Sequence, residues 1–231
     1  MILLKASDED FLIRMPSYIL MTSEYHVSES ALGANAAQRI AGRPRPRMLI
    51  GGLGMAYTLR AALDALPPHA EVTVAELNPA VVRWCRTERA ALNGFPLDDP
   101  RVTVHIGDVA KVIATAGRRG GARFDAIVLD LYQGTEDANS QPDHPFYGFR
   151  ALERTWNALS EGGVLAVWTE TSDAGFEKRM GTAGFDFQRT RPGDAGPRHT
   201  VYLATRNGSG GPGLSRNAPP RGRRSSHRRR R

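Results

Sequence analysis

The stretch MLIGGLGMAYTLRAALDA, residues 48–65, decides the fold. An apolar run, Met48-Leu49-Ile50, meets the glycine turn Gly51-Gly52-Leu53-Gly54 and passes into a segment with helical periodicity from Met55 to Ala65. Glycines let a backbone turn tightly and approach a ligand closely, and a strand, glycine turn and helix in that order form the ligand edge of an open α/β sheet. Tyr57 stands where a dinucleotide fingerprint would carry its third glycine. The turn alone is a weak signal, since a plain tight connection also explains it, so its neighbours must decide.

Downstream, apolar runs and helical patterns alternate. Strands are expected at 71–77, 102–106, 124–131 and 164–168, and helices at 79–92, 109–116, 146–159 (ended by Gly162-Gly163) and 173–180. Two closing strands, 185–190 and 200–205, are expected to form a hairpin around a Gly/Pro loop. Such alternation implies a mostly parallel, doubly wound sheet. Five βα units and a closing hairpin fit a seven-stranded class I methyltransferase-like sheet. Upstream, a helix is expected at 28–40. Before it, apolar runs at 2–4 and 11–15 flank the turn Ser7-Asp8-Glu9-Asp10 and read as a β-hairpin, with 18–21 able to add a strand. The division that follows is a hairpin region (1–26), a nucleoside-binding domain (27–206) and a tail (207–231).

Charge separates the tail from the body. The chain of 231 residues has a net charge of +7, but eight arginines and no acid lie in 207–231, which leaves −1 for residues 1–206. The tail is rich in Gly, Ser, Pro and Arg and is expected to be disordered. It offers phosphates weak contacts and has no aromatic ring for base stacking, so nucleic acid is not an expected partner of the body. The single cysteine, Cys85, excludes an internal disulfide, and the sequence has neither a secretory signal nor an apolar run long enough for a membrane span. A reducing cytoplasm fits. The scattered histidines show no metal-ligand spacing.

Polar residues at the expected strand ends carry the chemistry. Glu76 ends the second strand of the domain, where an acid accepts hydrogen bonds from two ribose hydroxyls; the bland alternative is a solvated surface acid. Gly107-Asp108 ends the third, placing a carboxylate for an adenine amino group or for capping the next helix. Asp130 ends the fourth, where a carboxylate faces the cleft and can take a proton, hold a cation, or cap a loop. Desolvation would raise its pKa toward a useful range.

In this order the signals resemble the spermidine and spermine synthase family over residues 11 to about 205. The resemblance implies that Gly51, Gly52, Gly54, Glu76, Gly107 and Asp108 bind decarboxylated S-adenosylmethionine, and that Asp130 activates an amine. Tyr25-His26 is similar to the family's Tyr-His pair, which puts His26 near the nucleoside. Phe146-Tyr147 is similar to the aromatic pair after the gatekeeping loop, which puts Tyr147 along the substrate channel. The chain departs from the family at two acids: Gly54 stands where the glycine loop carries Asp, and Gln133 where the second motif carries Asp. Glu136 and Asp137, or the wall Trp168-Thr169-Glu170, are candidates to compensate. Three functions follow: aminopropyl transfer to a small-molecule amine, methyl transfer from intact S-adenosylmethionine with Asp130 and Tyr132 handling the acceptor, or nucleoside binding without catalysis. Related folds often dimerise, so a homodimer is a further expectation.

Overall fold

The computed structural model describes residues 2–5, 10–87, 90–132, 134–141, 143–193 and 199–208. The expected turn at Ser7-Asp8-Glu9 (its last member, Asp10, is described), Gln133, and the tail from 209 lie outside the described residues.

The N-terminal hairpin gains a third strand. β1 (Ile2–Lys5), β2 (Phe11–Arg14) and β3 (Ile19–Thr22) form an antiparallel sheet in the order β1-β2-β3. Alternation along β2 buries Phe11 and Ile13, which join the main core. Helix α1 (Val27–Ile40) then leads to β4 (Arg47–Gly51) and α2 (Tyr57–Ala65). The chain continues through β5 (Glu71–Glu76), α3 (Pro79–Arg86), β6 (Val102–Ile106), α4 (Val109–Ala116) and β7 (Phe124–Leu129). A short α5 (Asp137–Ser140) precedes α6 (Phe149–Ala158), β8 (Leu159–Thr169), α7 (Ala174–Thr182), β9 (Phe185–Thr190) and β10 (Thr200–Arg206).

The seven strands run β6-β5-β4-β7-β8-β10-β9. Neighbours from β6 to β8 are parallel, and β10 is antiparallel to both β8 and β9. Strand order reverses between β4 and β7, so Gly51 and Asp130 end up side by side: the Asp130 N–H donates to the Gly51 carbonyl at 2.9 Å. This switch point is where open α/β sheets bind ligands. Both faces of the sheet are covered, which explains the continuous apolar runs of the parallel strands. One core packs the sheet against α1, α2 and α3; the other packs it against α4, α6 and α7.

Three expectations are corrected. The helix expected at 79–92 stops at Arg86, and residues 90–93 form a separate 3-10 turn. The helix expected at 146–159 begins only at Phe149, because Gly148 is extended, and it ends at Ala158. Gly162 and Gly163 therefore do not stop that helix. They lie inside the 11-residue β8, where Gly162 has a φ of +65° and the β7–β8 register shifts. Leu159 has already entered the sheet opposite Phe124.

One close approach fixes the geometry near the switch point. A Cβ on Gly33 of α1 would overlap the Thr58 carbonyl oxygen of α2. Only glycine lets the two helices lie this close, and the approach sets the first turn of α1 beside the start of α2.

Candidate functional site

The glycine loop ties three strand ends together. The Gly52 N–H donates to the Ala75 carbonyl at 2.9 Å, and the Leu53 N–H donates to Oε2 of Glu76 at 2.9 Å. Gly52 has a φ of +88°, and a Cβ there would run into the Asp130 carbonyl oxygen. Left-handed backbone recurs at Gly54 (φ +49°) and Ala56 (φ +64°). This alternating turn delays α2 to Tyr57, two residues later than the helical periodicity predicts.

Glu76 is half-buried at the end of β5. Its other oxygen accepts from the Asn78 N–H at 2.7 Å. Each carboxylate oxygen has a second lone pair, so both retain capacity for an incoming hydroxyl. Asp108 caps α4: its Oδ1 accepts from the Ala110 N–H at 2.8 Å. The capping role is thus filled, and Oδ2 remains available. Gly107 continues the strand edge, donating its N–H to the Glu76 carbonyl at 2.9 Å. Two apolar side chains missing from the sequence reading stand beside these acids. Leu77 is 73% exposed and Ile106 56% exposed, and Ile106 pairs with Glu76 across β5 and β6. Exposed aliphatic groups beside these two carboxylates form an apolar edge against which a flat ring can lie.

The N-terminal sheet leans over the loop. The Met21 sulfur would lie 3.1 Å from a Cβ on Gly54. His26, just before α1, stacks on Tyr57 with ring centroids 3.9 Å apart and 10° between planes, and its Nδ1 lies 3.2 Å from Ser30 Oγ. The Tyr57 hydroxyl donates to the Ser23 carbonyl at 3.2 Å. His26 is therefore held against the start of α2, next to the glycine loop. Tyr18 and Tyr132 stack at 5.4 Å, joining the same sheet to the segment after β7.

Asp130 is half-buried at the carboxyl end of β7. Thr58 Oγ1 lies 2.6 Å from its Oδ2 and 3.1 Å from the Glu29 carbonyl oxygen. Desolvation by burial, and next the charge of Glu29, push its pKa up to about 7, against a small opposing effect of the Thr58 hydrogen bond. A threonine hydroxyl has one proton and cannot donate to both oxygens at once. With Asp130 protonated the geometry closes: the carboxyl donates to Thr58, and Thr58 donates to the Glu29 carbonyl.

Tyr147 differs from expectation. It is wholly buried instead of lining an open channel, packed edge-on to Phe176 and stacked at 5.3 Å on His144. Its hydroxyl has no hydrogen-bond partner among the described residues. Burial, then the charges of Asp130 and Glu136, raise its pKa, so it stays a neutral donor. Of the candidate compensating acids, Glu136 accepts from Thr171 Oγ1 at 2.6 Å, and Glu170 is exposed. Arg179 anchors this loop: its Nε donates to the Tyr147 carbonyl at 3.0 Å, and it hydrogen-bonds Asn139 and the Thr135 carbonyl. The acid closest to Asp130 in effect is Glu29, which the sequence reading missed; a glutamate in a first helical turn usually serves the helix dipole in solvent.

No family model matches the chain. A polyamine aminopropyltransferase of Corynebacterium efficiens is 34% identical over 128 residues, which are 55% of this chain and 23% of that protein. The chain thus spans under a quarter of the length of that curated relative. Among solved structures, spermidine synthase from Thermotoga maritima superimposes with a TM-score of 0.64 at 17% identity, covering 85% of this chain and 66% of the other. The O-methyltransferase TomG from Streptomyces achromogenes, solved in complex with SAM, gives 0.54 at 20% identity, covering 78% and 79%. The chain thus has the class I methyltransferase fold shared by these structures, and over about half its length it is similar in sequence to polyamine aminopropyltransferases.

Proposed function

We propose that residues 27–206 bind an adenosyl-sulfonium co-substrate and transfer its aminopropyl group to a small amine. The observation that carries the reading is Asp130: a carboxyl at the switch point, beside the glycine loop, with a pKa near 7. Such a group can accept a proton near neutrality, which is the property a general base needs. The likeness to polyamine aminopropyltransferases and to spermidine synthase supports the same reaction.

In this reading Glu76 receives the ribose hydroxyls, Asp108 the adenine amino group, and Leu77 and Ile106 the ring edge. Gly51, Gly52, Gly54 and Gly107 keep side chains away from the nucleoside, and His26 packs over the loop. The co-substrate supplies an electrophilic methylene carbon beside a positively charged sulfur. The amine nitrogen forms a bond to that carbon, the carbon–sulfur bond breaks with its electron pair going to sulfur, and the proton released from nitrogen passes to Asp130. Holding both reactants in one wall converts a bimolecular step into an oriented one, which contributes much of the rate. Tyr147 sits behind this wall as a neutral hydroxyl that can hydrogen-bond a carboxylate oxygen.

A second reading is methyl transfer. Gly54 takes the place of an acid in the related loop, which removes a negative charge that would repel the carboxylate of intact S-adenosylmethionine. The TomG likeness fits this reading. Calorimetry with S-adenosylmethionine and its decarboxylated form, on wild type and Asp130→Ala, separates the two. Tighter binding of the decarboxylated ligand, with transfer to diamines lost in Asp130→Ala, is expected. Tighter binding of the intact ligand selects methyl transfer, and no binding of either at millimolar concentration rejects both.

A further inference from the structure

Glu29 is a buried acid, 6% exposed, with no ion-pair partner among the described residues. Its position is built from three elements. Ser28 Oγ donates to Glu29 Oε2 at 2.6 Å, while Trp168 Nε1 of β8 donates to that same hydroxyl at 3.1 Å and Nδ1 of His199, just before β10, lies 3.0 Å away. A serine hydroxyl offers one proton and two lone pairs. The three contacts use all of them, so His199 Nδ1 carries a proton and donates it. Oε2 is thereby fixed, and Oε1 has no hydrogen bond among the described residues.

The Asp130 carboxylate, on which the Glu29 charge acts, is in the same condition. Asp130 Oδ2 is held by Thr58, Oδ1 has no hydrogen bond, and no cation pairs with it among the described residues. The same Thr58 hydroxyl touches the Glu29 backbone, so the two acids flank one residue, an arrangement the Gly33 approach makes possible. The Tyr147 hydroxyl, wholly buried and unpartnered, adds a neutral polar group within the field of Asp130. The Glu29 charge acts on Asp130, and two interacting like charges without a counter-ion are costly unless one is protonated or a cation binds with them. No third His, Cys, Asp or Glu among the described residues joins them to complete a metal-ligand set. An organic ammonium, which needs hydrogen-bond acceptors and not a coordination sphere, fits the pair.

We infer that Glu29 and Asp130 together form a seat for a primary ammonium group, with Ser28, Trp168 and His199 positioning Glu29. Glu29 then supplies negative charge that Gly54 and Gln133 do not. This deepens the aminopropyl-transfer reading, on which the identity of the ammonium as the acceptor amine rests.

The test is calorimetry on the full chain with two kinds of probe. Wild type, Glu29→Gln and Glu29→Asp are each titrated with decarboxylated S-adenosylmethionine and, separately, with 1,4-diaminobutane; wild type is also titrated with butane-1,4-diol. The glutamine amide oxygen can still accept from Ser28, so Glu29→Gln removes the charge and keeps the contact. Glu29→Gln is expected to weaken diamine binding roughly tenfold or more while nucleoside affinity stays within about twofold, with Glu29→Asp recovering most of the diamine affinity. The diol is expected not to bind. Diamine affinity unchanged in Glu29→Gln, a diol that binds as well as the diamine, or a wild type that binds no diamine overturns the seat. The diol comparison uses wild type alone, so it holds even if a variant fails to fold. A wild type that binds diamine through Glu29 but no nucleoside overturns the transfer reading and leaves the seat standing.

Discussion

Replacing Asp130 by Asn should make the protein more stable at neutral pH and remove a specific part of its pH dependence. Burial, and then the Glu29 charge, raise this carboxyl from 3.8 to about 7. A group whose folded pKa lies above its unfolded value binds more protons folded than unfolded between the two. Its contribution therefore favours folding at low pH, declines as pH rises from 3.8 to about 7, and is gone above that. At about pH 5 the folded carboxyl is protonated by about two units and the unfolded one is ionised, a preference of roughly 2 to 3 kcal/mol that vanishes by about pH 8. Because Asp130 is only half-buried, solvent screening puts the expected value at the lower end, about 2 kcal/mol. Asn cannot titrate, and its amide N–H can donate to Thr58 as the protonated carboxyl does. Urea unfolding of wild type and Asp130→Asn at both pH values isolates the effect, since the other titrating groups are common to both proteins and cancel. Wild type should lose about 2 kcal/mol more than the variant on going from low to high pH. Parallel losses in the two proteins would refute the assignment of a raised pKa to Asp130.

Other substitutions test the rest of the site. Glu76→Gln should weaken nucleoside binding by roughly 10- to 100-fold in calorimetry, the cost of losing a charge-assisted contact. Gly52→Ala puts a Cβ against the Asp130 carbonyl at a φ of +88° and should destabilise by more than about 2 kcal/mol in urea unfolding, with loss of nucleoside binding. Tyr147→Phe removes a buried hydroxyl without a partner among the described residues, so it should stabilise by about 1 to 2 kcal/mol in the same measurement. If transfer activity falls in that variant while its stability rises, the hydroxyl serves the reaction.

Much of the fold was readable because the parallel strands are buried on both faces. The runs at Met48-Leu49-Ile50 and Ile127-Val128-Leu129 announce themselves without alternation, and each is followed by a glycine or an acid that marks the strand end. The same contrast made Glu76, Asp108 and Asp130 visible as the polar residues following apolar runs. What local sequence did not carry was tertiary. Glu29 reads as an ordinary helix-start acid, and its burial depends on α1 packing against β8 and β10, far along the chain. Gly162-Gly163 carries the signature of a helix stop, yet the helix ends four residues earlier because Leu159 pairs with Phe124. The family resemblance implies a channel position for Tyr147; stacking on His144 and the edge of Phe176 take it into the core.

The placement of β10 carries a consequence for how the molecule comes together. It follows β9 in the chain but lies between β9 and β8 in the sheet. Until residues 200–206 have been made and inserted, β8 presents an open edge, and β9 has no neighbour to hold it. An open edge of that kind is a template for pairing with another chain, so the nascent protein is exposed to aggregation until this insertion occurs. The residue just before β10 is His199, whose ring steadies Ser28 against Glu29. Synthesis thus places the last prop of the acidic pair in the final step of sheet closure, and a chain cut short before it would keep its glycine loop while lacking an ordered partner for Asp130.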